Sequence, residues 1–305
     1  MKGHLFIETY FWIFLITGLL LGLVYPLFNA FLMSLLKPLL MVMLFLVFLK
    51  TDIALVLKNM KNFKVMSLYV LMNMIVIPLV FFYSINLFND KFAVGIMLLA
   101  SMPAAIASPA FTDIVNGNSA LSASLVIITS ITAPLSVPLL FWITNANDFS
   151  IHTLWLFKDL ALIIFIPMFI SQIVKRFLPR FLTGKYHLFT SINVLILSLM
   201  VYTVMGAQRN VILNDFETIL WKIGFLYLIF IVLHFFDYLI GFKEDKKGKI
   251  ATTITSAYRN NGMAIVLAAI YFDPSILVLM ILSELPWNTL LVPFKKVIHY
   301  SNYYK

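Results

Sequence analysis

The sequence predicts an all-α integral membrane protein with about ten transmembrane helices, and three observations lead to this fold class. The chain has 305 residues, of which 62% are apolar and only 11% charged, whereas a soluble domain carries about 25% charged residues. Its mean hydropathy is +0.99. Apolar runs of about 20 residues, the length that a membrane helix needs, recur along the chain. Most of the surface must therefore face lipid.

Ten apolar runs can be placed in order, each long enough for one crossing. The first could instead be a signal peptide, but its apolar stretch is long and no small-residue cleavage site follows it. The chain contains no cysteine, which excludes disulfides, thiolate metal sites and cysteine nucleophiles. The predicted spans are residues 10–28, 30–50, 65–88, 92–116, 118–143, 151–174, 186–206, 218–242, 250–271 and 275–296.

The basic residues are concentrated in alternate connections between these spans. Lysines cluster at 50–64 and 243–249, whereas the other connections carry acidic residues such as Asp148 and Asp273. By the positive-inside rule the lysine-rich connections are cytoplasmic. The chain is therefore predicted to be a multi-pass protein of the cell (plasma or inner) membrane with both termini in the cytoplasm. The net charge of +9 reports this orientation, and no nucleic-acid partner is predicted.

The fourth span, at 92–116, is predicted to break because it contains Pro103 and Pro109. Each proline removes a backbone donor and clashes with the preceding helical turn. Carbonyl groups freed in this way inside a membrane need partners in protein or water. The span is therefore predicted to be discontinuous and enclosed by the rest of the protein.

The ninth span, at 250–271, is even less typical of a lipid-facing helix. Eight of the ten residues at 252–261 are polar, and apolar sequence resumes only after Gly262. One interpretation is a long cytoplasmic loop at 243–261, which would leave nine spans and move the C-terminal lysines outside. The other interpretation is a second discontinuous helix that is buried in the protein.

The two unusual spans are five apart, as expected if the chain contains two inverted five-helix repeats. An odd number of spans in each repeat forces the repeats into opposite orientations. Broken helices at matching positions of such repeats are the best sequence indication of a transporter's binding site near the membrane midplane. The predicted repeats are residues 1–145 and 146–305, which together form one membrane unit.

At these two spans the sequence resembles the bile acid:sodium symporter family. The block 102–138 has the family's Pro-small-small start of a short helix, then Gly-Asn, Ala-Leu-Ser and a Ser/Thr-rich helix with two prolines. The block 258–268 is similar to the family's Gln-Asn-Ser-Gly-Leu-Ala motif. Asn73, five residues before a proline, resembles the third helix, and Trp287 with Asn288 resembles the tenth.

The resemblance implies a ten-helix fold in which helices 4 and 9 break and cross. Helices 1, 2, 6 and 7 would form a panel domain, and the other six helices would form a core domain. Alternating access would arise from movement of one domain against the other. The resemblance also implies a small organic anion as substrate, commonly carried with sodium, and the lipid bilayer as the surroundings. No obligate protein partner is evident.

Five positions depart from the family's pattern of sodium ligands, while Ser108 and Ser122 keep it. Sodium is a hard cation and, like calcium, takes several oxygen ligands, but here oxygens are lost and a permanent cation is gained. Sodium coupling of the family's kind is therefore not predicted, and a proton is the alternative ion. The departures are Asn73 for Gln in helix 3, Pro109 for Asn in helix 4, Val126 for Ser/Thr in helix 5, and Thr255 for Glu and Arg259 for Gln in helix 9.

Arg259 has three possible roles in this scheme. A charge near the middle of a membrane costs about 2.5–3.5 kcal/mol or more, so the residue is expected to have a purpose. It could replace a bound sodium ion structurally, paired with Glu284, Asp113 or Asp237. It could bind the carboxylate of a substrate, for which its planar two-pronged donor is suited. It could also lie in cytoplasmic solvent.

The candidate site residues fall into two groups. Residues around the predicted breaks are the candidates for substrate binding, and they are Arg259, Asn260, Asn261, Ser108, Pro109, Thr112 and Asn288. The candidates for ion coupling are Asn73, Ser122, Thr255, Glu284 and Asp113. Among them Glu284 is the preferred proton site, and facilitated exchange without an ion stays open.

The leading prediction is a secondary active or facilitative transporter of small organic anions that works by alternating access. One alternative is a sodium-coupled bile-acid or organic-anion symporter, and another is a non-transporting membrane receptor or scaffold. An enzyme is not predicted, because the sequence lacks motifs such as His-Glu-x-x-His and Gly-x-Ser-x-Gly. No cofactor is predicted. His234 and Asp237 lie three apart without a second such pair, so no metal site is predicted either.

Overall fold

The computed structural model describes residues 10–51, 53, 63–144, 153–182, 184–214, 216–240 and 244–300. Within these ranges the chain is nearly all helical, and the one β-type pairing is an isolated bridge between Ala104 and Arg259. The predicted all-α fold class is confirmed. Both chain ends, Lys243 and the lysines of 54–62, on which the predicted orientation partly rests, lie outside the described residues.

The described part of the first half begins with three helices and continues through a π-helical turn. Each of the first five predicted spans is helical here, and the fourth is interrupted as predicted. The elements are α1 (Phe11–Val24), α2 (Asn29–Ser34), α3 (Leu36–Lys50), α4 (Phe63–Leu71), the π turn (Met72–Val76), α5 (Ile77–Asn86), α6 (Asp90–Ser101), α7 (Ser108–Ile114) and α8 (Ser119–Ile143).

The second half follows the same order, and each of its five predicted spans is also helical. The ninth is again interrupted. The elements are α9 (Thr153–Phe177), α10 (Pro179–Leu182), α11 (Tyr186–Ala207), α12 (Arg209–Asn214), α13 (Phe216–Ile240), α14 (Lys246–Ala257), α15 (Asn261–Tyr271), α16 (Pro274–Leu282), α17 (Glu284–Thr289) and α18 (Leu291–Tyr300).

Side-chain caps explain several helix starts. Asn89 accepts a hydrogen bond from the Phe92 amide at 2.9 Å, and Asn118 accepts one from the Leu121 amide at 3.0 Å. Such caps satisfy backbone donors that the first helical turn leaves free. This matters most inside a membrane, where water cannot supply the missing partner.

Six helical segments in the described ranges are long and apolar enough to cross a membrane. Three further apolar helices, α1, the 91–101 part of α6, and α15, are 10–17 residues long. Large apolar side chains on the outside of the molecule are exposed, for example Leu154 and Phe169. An apolar exterior around an apolar core is the pattern of a protein that is solvated by lipid.

Helices α1 and α11 pack closely because α1 presents two glycines. A Cβ atom at Gly18 would lie 2.5 Å from the carbonyl oxygen of Ser198, and one at Gly22 would lie 2.5 Å from that of Tyr202. Small residues four apart let membrane helices approach to backbone contact. This contact ties the first predicted repeat to the second.

A polar link joins three helices near one end of the bundle. Lys37 of α3 forms an ion pair of 2.7 Å with Asp159 of α9, and the second oxygen of Asp159 accepts a hydrogen bond of 2.8 Å from Tyr271 at the end of α15. We call these three residues the Lys37–Asp159–Tyr271 link. The pairing satisfies two charges that would be costly in a membrane.

The polar ninth span is a helix in the centre of the molecule. Residues 250–257 of α14 are all buried, as are residues 261–268 of α15. The threonine hydroxyls of α14 bond to carbonyls of their own helix, as Thr253 does to Lys249 at 2.7 Å. The interpretation as a cytoplasmic loop is therefore wrong. The polar residues are tolerated because protein surrounds them.

Candidate functional site

The first break comprises residues 102–107, between α6 and α7. Pro103 follows the end of α6, and Pro109 lies in the first turn of α7. A proline in a first turn costs no hydrogen bond, because the amides there have no partner within the helix. The two prolines thus end one helix and begin the next, as predicted.

The second break comprises residues 258–260, between α14 and α15. Asn260 caps α15, because its side-chain oxygen accepts a hydrogen bond from the Met263 amide at 3.1 Å. The two breaks lie against each other. The Ala105 amide donates to the Tyr258 carbonyl at 2.8 Å, and the Asn260 amide donates to the Pro103 carbonyl at 2.9 Å. Backbone groups freed by one break thus find partners in the other.

Arg259 lies at this crossing with 1% of its surface exposed. Its Nη2 donates to the side-chain oxygen of Asn73 at 2.9 Å and to the carbonyl oxygen of the same residue at 3.3 Å. Its Nη1 donates to the carbonyl of Met102 at 3.5 Å. Burial excludes the interpretation of Arg259 as a side chain in cytoplasmic solvent.

The π turn explains why the Asn73 carbonyl is available to Arg259. In this turn the Ile77 amide donates to the Met72 carbonyl, so it does not bond the Asn73 carbonyl as it would in a regular α-helix. The next residue is Pro78, which has no amide hydrogen. The Asn73 carbonyl therefore has no donor within its own helix, and the guanidinium supplies one.

The acidic residue that interacts with Arg259 is Asp237. It is fully buried on α13 and interacts electrostatically with the guanidinium. The Ser256 hydroxyl is in hydrogen-bonding contact with both Asn73 Oδ1 and Asp237 Oδ2. We call Arg259, Asn73, Ser256 and Asp237 the arginine network. Of the three carboxylates predicted as partners, Asp237 is the one that joins it.

A second polar cluster lies on α17 and the start of α15. The Glu284 side chain is 5% exposed, and its Oε2 accepts a hydrogen bond from Asn288 Nδ2 at 3.1 Å. The Asn261 amide faces the carboxyl, but neither of its polar atoms makes a hydrogen bond of normal geometry. We call Glu284, Asn288 and Asn261 the glutamate cluster.

Helix α7 contributes buried hydroxyls beside the breaks. Ser108 and Thr112, one turn apart on α7, are fully buried, as is Ser122 on α8, and none of the three hydroxyls has a partner among the described residues. Helix α7 packs against α8 and α14. The hydroxyls therefore line the interface between the first break and the helices around it.

Aromatic rings hold α7 against the second break and α17. The Phe111 ring lies 5.0 Å from that of Tyr258 and 5.2 Å from that of Trp287, both edge-on. The Trp287 indole also donates a hydrogen bond of 3.0 Å to the carbonyl of Arg259. Edge-to-face pairs of this kind stabilise a fixed arrangement of rings.

Two of the predicted coupling residues are not gathered with the others. Asp113 is exposed on α7, because it points away from the face that carries Thr112. The Thr255 hydroxyl is buried but donates to the Ala251 carbonyl at 2.7 Å. Pro109 is half-buried and serves as a helix start. Among the described residues no group of three His, Asp or Glu side chains could hold a metal ion.

Sequence reasoning missed Ser256 and the backbone carbonyls of Asn73 and Met102. Ser256 lies within the polar run of the ninth span, but nothing distinguishes it there from its hydroxyl neighbours. The signal for the Asn73 carbonyl was Pro78, since a proline leaves carbonyls of the preceding turn without a donor.

A cavity of about 230 Å³ opens between the ends of α7, α14 and α18. Four of its eight lining residues are basic side chains, namely Lys246, Lys247, Lys295 and His299. No acidic residue lines it. Such a concentration of positive charge attracts anions.

The fold and the site define a class: a multi-pass membrane protein with two discontinuous helices that cross at a buried polar site, the construction of a secondary transporter. Comparison with known sequences gives the family. A sequence profile described as the sodium bile acid symporter family matches residues 37–215, which is more than half of the chain. The chain belongs to this family. The matched region contains the first break and ends before Arg259.

Individual relatives are distant. The uncharacterized sodium-dependent transporter YocS of Bacillus subtilis (strain 168) is 26% identical over 191 residues, 60% of this chain and 57% of that protein. The sodium/bile acid cotransporter 7-B of Xenopus laevis is 26% identical over 158 residues, 50% of this chain and 46% of that protein. The probable sodium/metabolite cotransporter BASS4, chloroplastic, of Oryza sativa subsp. indica is 25% identical over 140 residues, 44% and 33% respectively. The chain thus matches from a third to just over half of the length of these relatives.

Proposed function

We propose that this chain is a secondary active or facilitative transporter of small organic anions that works by alternating access and does not require sodium. One observation carries the proposal. The Arg259 guanidinium is buried where two broken helices cross, and oxygens of Asn73 and Met102 surround it. A fixed positive charge in this position favours an anionic cargo and disfavours a bound metal cation.

The partners of the guanidinium are the kind of ligand that a hard metal ion takes, namely a side-chain amide oxygen and backbone carbonyls. Arg259 therefore acts as a cation that is tethered to the chain. The guanidinium alone would repel a sodium ion about 4 Å away by about 4 kcal/mol at an effective dielectric constant of 20, and the buried Asp237 offsets part of this repulsion. The oxygens of Asn73 and Met102 are already occupied by the guanidinium, so sodium binding at this place is disfavoured.

The proposed substrate contacts are polar groups beside the breaks that have no other partner. They are the hydroxyls of Ser108 and Thr112, the amide of Asn261 and the amide oxygen of Asn288. A buried polar atom without a partner costs about 1–3 kcal/mol, which a ligand with matching groups recovers. Asn260 and Pro109, each at the start of the helix after a break, shape the site.

The basic cavity between α7, α14 and α18 supports an anionic substrate independently of Arg259. Its lysines at 246, 247 and 295 raise the local concentration of anions at one mouth of the protein. With the predicted orientation this mouth is cytoplasmic. We further propose that both termini are cytoplasmic in the cell membrane, and that residues 1–145 and 146–305 form the two inverted repeats.

Sodium-coupled symport is the second candidate function. The names of the relatives favour it, because each describes a sodium-dependent transporter or a sodium cotransporter. Ser108 and Ser122 keep the hydroxyls that such coupling needs. The tethered charge of Arg259 argues against it.

A thermal-shift screen of the purified protein, followed by counterflow in proteoliposomes, tests the proposal. The probes are labelled pyruvate, succinate, citrate and taurocholate, each with sodium and with choline as the cation. We expect at least one anion to raise the melting temperature and to undergo counterflow equally in both salts. Counterflow that requires sodium would favour the second candidate. Stabilisation without counterflow would favour a receptor or scaffold.

Alternating access can be tested directly, because the chain has no cysteine. We expect single cysteines at Ser108 and at Asn260 to react with membrane-impermeant maleimide from either side, and each labelling rate to change when a transported anion is added. A cysteine at the exposed Trp142 is the matched control, since its labelling should not respond. Reaction from one side alone at both test positions would exclude alternating access at the breaks.

A further inference from the structure

Glu284 is a carboxyl group in the middle of the last span, and no basic side chain of the described residues is paired with it. Its side chain is buried within a continuous segment of 26 residues, Pro274–His299. Its Oε2 accepts a hydrogen bond from Asn288, and its Oε1 accepts none. No basic nitrogen of the described residues lies within 4.0 Å of either oxygen. An ionised carboxylate in such a place carries a large desolvation cost, which a bound proton removes.

Titratable groups of α13, which packs against α17, form no ion pair with Glu284 in the described part of the chain. The Tyr227 hydroxyl contacts that of Thr289 at 2.8 Å. His234 Nδ1 contacts a carbonyl of its own helix at 2.7 Å, and Asp237 belongs to the arginine network. None of these groups offers a positive charge to Glu284.

The remaining neighbouring elements offer none either. At the second break, the Tyr258 ring packs edge-on against Trp287 with centroids 5.5 Å apart, and the Arg259 guanidinium points toward α4 and α5. Helix α16 carries no titratable residue, and Asp113 of α7 is exposed. The basic side chains of α18, at 295, 296 and 299, are exposed as well.

The glutamate cluster leaves three acceptor atoms without a partner among the described residues. They are Glu284 Oε1, Asn288 Oδ1 and Asn261 Oδ1, and the unpartnered donor is Asn261 Nδ2, which carries two hydrogens. A proton on Oε1 removes one of these acceptors and adds a donor for an amide oxygen.

We propose that Glu284 is the group that takes up and releases the coupling proton of this transporter. The inference rests on the proposed function. It identifies a proton as the coupled ion, because Arg259 disfavours sodium. The polar groups of Asn261 belong both to the glutamate cluster and to the proposed substrate contacts. In the proposed complex the Asn261 amide contacts both the anionic substrate and Glu284. The protonation state of Glu284 therefore decides whether a charged or a neutral carboxyl lies near the substrate.

The proposed coupling step is a simple proton transfer. In the state open to the more acidic side, a hydronium ion gives its proton to Oε1, an O–H bond forms, and water remains. The neutral carboxyl no longer repels the anionic substrate, so both can be enclosed together. On the opposite side the O–H bond breaks toward water, the carboxylate returns, and the anion leaves.

Infrared pH-difference spectra of the purified protein in lipid nanodiscs test this assignment without any substrate. We expect the wild type to show the high-frequency carbonyl band of a buried protonated carboxyl in the pH range in which exposed carboxyls stay ionised, and this band should grow as the pH falls through that range. The band should be absent from Glu284→Gln and present in Glu217→Gln, which alters an exposed carboxylate on α13. Glu284→Asp should keep it, and so should Asp237→Asn. A band that persists in Glu284→Gln, or that disappears in Asp237→Asn instead, would overturn the assignment.

Transport separates this inference from the proposed function. With the probe anion that shows counterflow in the wild type, we expect a pH gradient, acid outside, to drive accumulation above equilibrium. In Glu284→Gln the accumulation ratio should fall to unity while counterflow at equal pH continues, and Glu217→Gln should match the wild type. Accumulation by Glu284→Gln would overturn the inference alone. Absence of counterflow for every probe in the wild type would overturn the proposed function, and the infrared result would still decide whether Glu284 binds a proton.

Discussion

Asp237 and Glu284 are both buried carboxyl groups on helices that pack beside the second break, but their surroundings differ in one respect. Asp237 shares a network with the guanidinium of Arg259, linked through Ser256 and Asn73. Glu284 faces amide groups, and no basic residue of the described ranges is paired with it. A permanent arginine charge cannot be deprotonated, so the arginine network always holds that positive charge beside Asp237. The glutamate cluster holds no such charge.

In the proposed transport cycle the two polar sites have different tasks. The attraction between Arg259 and Asp237 would stabilise one geometry of the crossing, because removing either residue leaves a bare charge in the protein interior. The carboxyl of Glu284 has no such partner among the described residues, and it would exchange its proton with water when the site opens. Three substitutions test this distinction.

The largest effect is expected for Arg259→Ala. It removes the positive charge and leaves Asp237 buried without compensation, which costs about 3–5 kcal/mol of unfolding free energy. Chemical denaturation in detergent micelles measures the loss. In the Asp237→Asn background the same substitution should cost clearly less, because no orphaned charge remains. Equal costs in the two backgrounds would contradict the coupling of Arg259 with Asp237.

A smaller loss is expected for Asn73→Ala, which removes the side-chain acceptor of the guanidinium but leaves the carbonyl in place. Hydrogen bonds to charged groups contribute about 1.5–3 kcal/mol. Asn86→Ala, an exposed asparagine at the end of α5, is the matched control and should leave the unfolding free energy almost unchanged. The same denaturation series measures both variants. A stable Asn73→Ala protein would mean that the carbonyls alone hold Arg259.

The smallest effect on stability is expected for Glu284→Gln. Glutamine keeps the shape of glutamate and an oxygen for Asn288, and no ion pair is lost, so the change should be below about 1 kcal/mol. Denaturing this variant and the Arg259→Ala protein in the same series measures the difference between their unfolding free energies. A loss as large as that of Arg259→Ala would show that Glu284 is a fixed structural charge and would remove the distinction between the two sites.

The two breaks could be predicted from the sequence because their causes are local. Pro103 and Pro109 interrupt a helix wherever they stand. A run of eight polar residues in the ninth span has no place in lipid, so the sequence left two interpretations, a cytoplasmic loop or a helix enclosed by protein. Arg259 was conspicuous for the same reason, since charges within spans are rare.

The partner of Arg259 could not be predicted, because it depends on how helices are rotated against one another. The sequence alone could not rank the three possible partners, which were Asp113, Asp237 and Glu284. The structure turns Asp113 outward on α7 and directs Asp237 of α13 toward Ser256. The π turn around Asn73 could not be predicted either. Pro78 indicates that a carbonyl of the preceding turn is free, but it does not indicate which donor bonds to it.

The backbone pairing between the two breaks has a mechanical consequence. Ala105 and Asn260 donate to carbonyls across the crossing, much as two short strands do in a hairpin, so the four helix halves are fastened at their common centre. Separating the two breaks would leave these backbone groups without partners where no water reaches them, so we expect the crossing to stay together. In the proposed alternating-access cycle the moving surfaces would then lie farther out. The hydrogen bond between Asp159 and Tyr271 of the Lys37–Asp159–Tyr271 link joins a predicted panel helix to a predicted core helix, so in that cycle it would have to open.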